Sequence, residues 1–188
     1  EKYFQMGLKN GSDDETIHYQ LGNIALHRRD RSGAVDHFNR AVEQAPDRSM
    51  THFLIADSLM KAGYHEDALM HFRRPVQMQP DNPMYLNGLA WILATSHVAE
   101  IRDGAKALRL AETACERTEH AIPELMGTLS AAQAESGMFD KAIGTVNRAL
   151  ETARRKGRDD FMDRLEGHLE NYRAGQPVRE NVPGQEPG

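Results

Sequence analysis

Apolar and small residues recur along this chain at a spacing of 34. Phe4, Phe38 and Phe72 mark one column, Gly7, Ala41 and Pro75 a second, and Leu8, Val42 and Val76 a third. The polar residues Asp13, Asp47 and Asp81 add a fourth. Columns in register at one period mean a structural unit copied along the chain, and 34 residues is the length of one helix-turn-helix repeat. The pattern predicts an all-α stack of helix pairs that presents a surface to something else.

The residues inside the period carry a family resemblance. Leu21-Gly22, Ala34-x-x-x-Phe38, Ala41 and Pro46 are followed one period later by Ile55-Ala56, Ala68-x-x-x-Phe72 and Pro80. In this spacing the chain resembles a tetratricopeptide-repeat array over roughly residues 1–156. The resemblance implies a right-handed α-solenoid of antiparallel helix pairs. Small residues at 22, 34, 41, 56 and 68 let helices approach, the Phe fills the space between the two helices of a pair, and the prolines end second helices.

Phase assigns the segments. Residues 1–14 hold second-helix columns and read as the second helix of a truncated repeat. Repeats follow at 15–48, 49–82, 83–122 and 123–156. In the third, Ala107-x-x-x-Ala111-x-x-Ala114 sets the second helix about five residues late, so Ser96–Arg102 forms an enlarged turn. Phe161, Leu165, Leu169 and Tyr172 share one helical stripe and predict a capping helix over 157–174. Residues 175–188 turn to Gly, Pro, Gln and Glu with only Val178 and Val182 apolar, which predicts a flexible tail.

A narrower likeness lies in Leu89-Ala90-Trp91-Ile92-Leu93-Ala94-Thr95-Ser96, Arg102-Asp103-Gly104 and Asn171-Tyr172-Arg173-Ala174-Gly175. These resemble the closing repeats of large bacterial tetratricopeptide proteins, in which the array follows another domain. That resemblance implies an accessory portion of a larger protein and leaves the compartment open: cytoplasmic, or periplasmic or extracellular if the parent is exported.

Composition removes several functions. The net charge of −5 argues against nucleic acid as partner, and no apolar run reaches the roughly 18 residues of a membrane span. Nine histidines contain no i,i+4 pair of the zinc type and no companion cysteines, so no metal is expected. Glu116 and His120 read as a surface pair. Cys115, the single cysteine, follows a small-residue column and reads as a buried, inert thiol. Basic clusters at Arg28-Arg29, Arg73-Arg74 and Arg154-Arg155-Lys156 suit helix ends. With no phosphate loop and no nucleophile elbow, no catalytic residue, cofactor or enzyme activity is expected.

The surface that remains is the concave face, which in the resembled family is lined by first-helix positions. Here these give a candidate ligand groove of Tyr19, Asn23, His27, Phe53, Asp57, Met60, Asn87 and Trp91, with Met50, Ala94, Thr95, Glu124, Gly127, Ala131, Ala134 and Glu135 along it. Aromatic and Met side chains make adaptable apolar surface, and an Asn amide both donates to and accepts from a peptide backbone. The expected ligand is an apolar peptide or helix of a protein partner; Asp57, Glu124 and Glu135 are expected to disfavour an acidic one. A chaperone-tail clamp is set aside, because of its basic and Asn positions only Asn23 matches. Two alternatives stand beside the groove: a face that packs only on its own neighbours, with Trp91 covering the enlarged turn, and head-to-tail self-assembly through the open end at 1–14.

Overall fold

The computed structural model describes residues 14–180 and contains helices and no strand among them. The expected helix at 1–14 lies, apart from Asp14, outside the described residues. Capping side chains mark four of the helix starts. Asp14 accepts from Thr16 N–H at 2.6 Å where α1 (Glu15–His27) begins, and Asp30 accepts from Gly33 N–H at 2.9 Å before α2 (Arg31–Gln44). There follow α3 (Ser49–Lys61) and α4 (His65–Met78), the latter continuous through Pro75. Asn82 caps α5 (Pro83–Thr95) through Met84 N–H at 3.0 Å. Asp103 caps α6 (Gly104–Arg117) through Lys106 N–H at 2.9 Å. The last three helices are α7 (Pro123–Glu135), α8 (Phe139–Arg155) and α9 (Asp159–Arg173).

The chain divides into two compact units, Glu1–Met78 and Gln79–Gly188. In the first, α1 packs on α2 and α3 on α4. Phe38 and Phe72 are buried together with Ala34, Ala41 and Ala68. A Cβ at Gly22 would lie 2.3 Å from Phe38 Cε1, so the close approach of the ring requires glycine there. Arg31 crosses to Asp67 with two hydrogen bonds of 2.8 and 3.0 Å, and Arg48 pairs with Glu15 at 2.6 Å.

In the second unit α5 packs on α6 and α7, α7 on α8, and α9 covers α8 and the start of the α7 face. The enlarged turn is a short 3-10 helix, Ala99–Ile101, after which α6 starts at Gly104. Ile101 is buried beneath it. Arg102 donates to Ser96 C=O at 2.9 Å, Val98 N–H to Ser96 Oγ at 3.1 Å, and Asp103 N–H to Leu93 C=O at 3.0 Å. The inserted residues are therefore held by their own backbone partners.

Three of the four first helices close through a left-handed residue, as a Schellman-type end requires, and α5 instead ends at Ser96 with φ −52°. Gly63 (φ 83°) and Gly137 (φ 75°) supply it in two repeats, and Arg29 (φ 61°) stands at the equivalent place in the first. The backbone closes identically in the three: Asp30 N–H to Ala25 C=O at 3.0 Å, Tyr64 to Leu59 at 2.9 Å, Met138 to Gln133 at 2.8 Å. A side chain in this region costs on the order of 1 kcal/mol. Arg29→Gly is expected to stabilise the chain by up to about 1 kcal/mol after the unfolded-state entropy of glycine is set against it, read as a raised midpoint in urea; a lowered midpoint would show that Arg29 is not strained.

Histidines repeat at the same period. His18 Nδ1 lies 3.1 Å from His37 Nδ1, and His52 Nδ1 lies 3.2 Å from His71 Nδ1, each pair joining the two helices of a repeat. Between two facing nitrogens one must donate and the other accept, so the accepting ring must be neutral. Burial, with the partner ring's charge second, holds His71 down to about 4. Burial also lowers His37, ahead of His18 and Arg40, and His52, ahead of Arg74. Groups whose folded pKa is depressed bind protons in the unfolded chain first, so their contribution is complete above about pH 6.5 and is lost as pH falls toward 4. By pH 5 the His71 contribution alone amounts to about 2 kcal/mol. The melting temperature is therefore expected to drop by several degrees between pH 7 and pH 5, and His71→Gln to flatten that profile; an unchanged slope in the variant would remove the histidine pair as its cause.

Candidate functional site

The eight predicted groove residues fall in two units, described separately. In the first, Tyr19 and Phe53 are half-buried because each sets one ring edge into the core. Tyr19 lies 6.1 Å from Phe38 and Phe53 5.8 Å from Phe72, the second edge-on at 68°. Tyr19 Oη meets Ser58 Oγ at 3.2 Å, tying α1 to α3. Asn23, Leu26 and His27 of α1 and Ser58, Lys61 and Ala62 at the end of α3 line a cavity of about 280 Å³. The structure thus brings Asn23 and His27 together at one recess, with Tyr19 joined through Ser58. Met60 is half-buried, and Met50 and Leu54 are exposed apolar residues of α3. Asp57 is not a free charge: Lys61 Nζ sits 2.6 Å from it, one turn on.

In the second unit Trp91 stacks on His168 of α9, with ring centroids 5.7 Å apart at 24°. His168 lies in turn against Tyr172, and burial holds its pKa down to about 4. Trp91 therefore covers His168. The Trp91 indole N–H donates to Glu180 Oε1 at 2.6 Å. Glu180 N–H donates to Thr95 C=O at 2.8 Å, and Arg179 Nη1 to Ala94 C=O at 3.3 Å and lies 2.6 Å from the Glu135 carboxylate. Val178 is buried. Asn87, one turn before Trp91 on α5, has its Oδ1 buried without a hydrogen-bond partner.

Over residues 176–180 the tail, expected to be flexible, is seen docked: one apolar side chain, a main-chain bond and two ionic side chains place it on the α5 and α7 face. Gly127, Ala131 and Ala134 are buried rather than lining a groove, because α9 lies over the start of this face. A Cβ at Gly127 would be 3.1 Å from Leu165 Cδ2 and 3.3 Å from Phe161 Cζ. Asp57 carries Lys61, Glu124 carries Arg158 at 2.5 Å, Glu135 carries both Arg102 (3.1 Å) and Arg179, and Trp91 binds a carboxylate directly.

Elsewhere, Cys115 is fully buried and its thiol is pushed up to about 12 by that burial, which makes it a poor nucleophile. His120 sits in the turn after α6 with φ 55°, so it is not a helical partner of Glu116. Among the described residues no group of three or more His, Cys, Asp or Glu is placed to hold a metal ion, and no helix is long and apolar enough to cross a membrane.

Helix pairs of this kind, with a small-residue column and a Phe between them, define a helical-repeat protein. Comparison with solved structures agrees, and gives the tetratricopeptide fold. PilW, a type IV pilus biogenesis factor, superposes with a TM-score of 0.58 at 15% identity, over 85% of this chain and 78% of its own. MamA 41-end from Desulfovibrio magneticus RS-1 gives 0.58 at 13%, over 86% and 96%. TTC0263, a thermophilic tetratricopeptide protein of Thermus thermophilus, gives 0.53 at 19%, over 86% and 98%. No family model matches the chain, and no curated protein matches it significantly.

Proposed function

We propose that the chain is a non-catalytic interaction scaffold that binds an extended segment of a protein partner on the first-helix faces of its repeats. One observation carries this reading. The face of α5 and α7 already holds a non-helical stretch, residues 178–180, through a backbone hydrogen bond to Thr95, an indole bond from Trp91 and an ion pair to Glu135. Backbone bonds give affinity to such a stretch and side-chain pockets give selectivity. The equivalent face of the first unit offers Tyr19, Phe53 and Met60 beside the Asn23 and His27 recess, an aromatic surface with polar groups at its edge. Fold likeness to tetratricopeptide proteins supports a binding rather than a catalytic role, and the inert Cys115 supports it too.

The test uses peptides selected on the full chain from a random display library. Aromatic anchors at the centre of an interface commonly carry about 2 kcal/mol, so Phe53→Ala is expected to weaken the selected peptides about thirtyfold. Because Phe53 also touches Phe72, Phe53→Leu, which keeps most of the core volume, and a melting curve accompany it. Peptides that bind both Phe53 variants and Trp91→Ala at full strength would place the binding surface away from the first helices.

A further inference from the structure

The segment on the α5 and α7 face reads as a ligand rather than as part of the fold. Its hold is local. Val178 is the one buried side chain between Gly175 and Glu180, Pro177 is half-buried, Gln176 and Arg179 are exposed, and Gly175 takes a left-handed turn (φ 68°) that leads the chain back from α9. Segments with so few buried contacts open at low cost. What they occupy is built more firmly. Trp91 is braced by His168, and Glu135 is oriented by Arg102, whose guanidinium is itself tied to Ser96 C=O. The buried Oδ1 of Asn87 remains an unused acceptor one turn from Trp91. A face braced by its own contacts under a lightly held segment, with an acceptor to spare, fits an exchangeable peptide.

Resting on the scaffold reading above, we propose that Val178-Arg179-Glu180 is a built-in occupant of this face. The face recognises a partner segment of the order apolar, Arg, acidic, and such a segment binds only by displacing the tail. The chemistry fixes the order: an apolar side chain in the Val178 position, a guanidinium between Glu135 and the Ala94 carbonyl, and a carboxylate on the Trp91 N–H while its own N–H bonds Thr95. A tethered competitor lowers the apparent affinity of a free peptide by the fraction of time the site is open, and a short tether sets a high local concentration.

The experiment uses the full chain and an acetylated, amidated, dye-labelled peptide Gln-Pro-Val-Arg-Glu. Trp91 is the only tryptophan, so its emission reports this face alone. Full chain carrying Arg179→Ala and Glu180→Ala is expected to show altered Trp91 emission and to bind the peptide at least tenfold more tightly than the unaltered chain. A peptide with Ala at both charged positions is expected not to bind. Equal peptide affinity in the two proteins, with Trp91 responding, would overturn the built-in occupant while leaving the scaffold reading intact. Absence of peptide binding by either protein would overturn the proposed recognition order, and the display-selected peptides then report on the scaffold reading separately. A concentration-dependent dimer in sedimentation that disappears in the double variant would overturn the proposal in favour of tails exchanged between two copies.

Discussion

How closely the two helices of a pair approach decides everything else in this molecule. An α-helix cannot bury one face alone; it needs a partner at a distance set by the side chains between them. Here alanines of the second helices, fully buried at 34, 41, 68, 107, 111, 142 and 149, give that distance, and a Phe or a first-helix residue fills what they leave. Gly22 shows how narrow the margin is, since Phe38 already stands where its Cβ would be. With the core absorbed between helices of a pair, the outer sides of α1, α3 and part of α5 are released from packing and can carry side chains chosen for something else, while α7 is buried nearly throughout.

That release is partial, which explains the half-buried rings. Tyr19 and Phe53 each lean on the Phe of their own repeat and keep the other side open. The third repeat breaks this pattern. Asn87 holds the column of Tyr19 and Phe53, and the second helix starts late, so no Phe stands opposite. The aromatic residue moves one turn along α5, to Trp91, and finds its ring partner on α9 in His168. An indole on a largely apolar face then needs an acceptor for its N–H, and Glu180 provides one.

The helix pairs and the late start of α6 are legible in the sequence because they rest on columns of small and aromatic residues that repeat several times. The histidine pairs are equally present in it. His18 and His52, and His37 and His71, stand 34 residues apart, but metal-ligand spacing within one helix does not reveal them, because their contact runs between helices. Of the candidate site, Asn23 and His27 line one recess and Trp91 lies on a surface that holds residues 178–180 of the chain itself. The burial of Gly127, Ala131 and Ala134 is not legible, since small residues suit an open face and a covered one alike. The docked tail escapes composition, which averages over a dozen residues, whereas three residues with one Val, correctly spaced charges and a backbone bond are enough to dock.

The enlarged turn and the docked tail, which look unrelated in sequence, meet at one carboxylate. Glu135 has its side chain 13% exposed and faces Arg102 from the turn and Arg179 from the tail. A carboxylate this sheltered is costly to hold without a cation. Arg102, anchored on Ser96, supplies one that does not depend on the tail, so the carboxylate keeps an ion-pair partner when the second cation leaves. Without Arg102, release of the tail would strand the charge, and Arg179 would be bound by that penalty. Arg102 therefore lowers the cost of opening the face while keeping it shaped for a guanidinium. The residues added to the third repeat make the exchange of Arg179 for another arginine energetically accessible, and groups sharing one partner in this way couple rather than add.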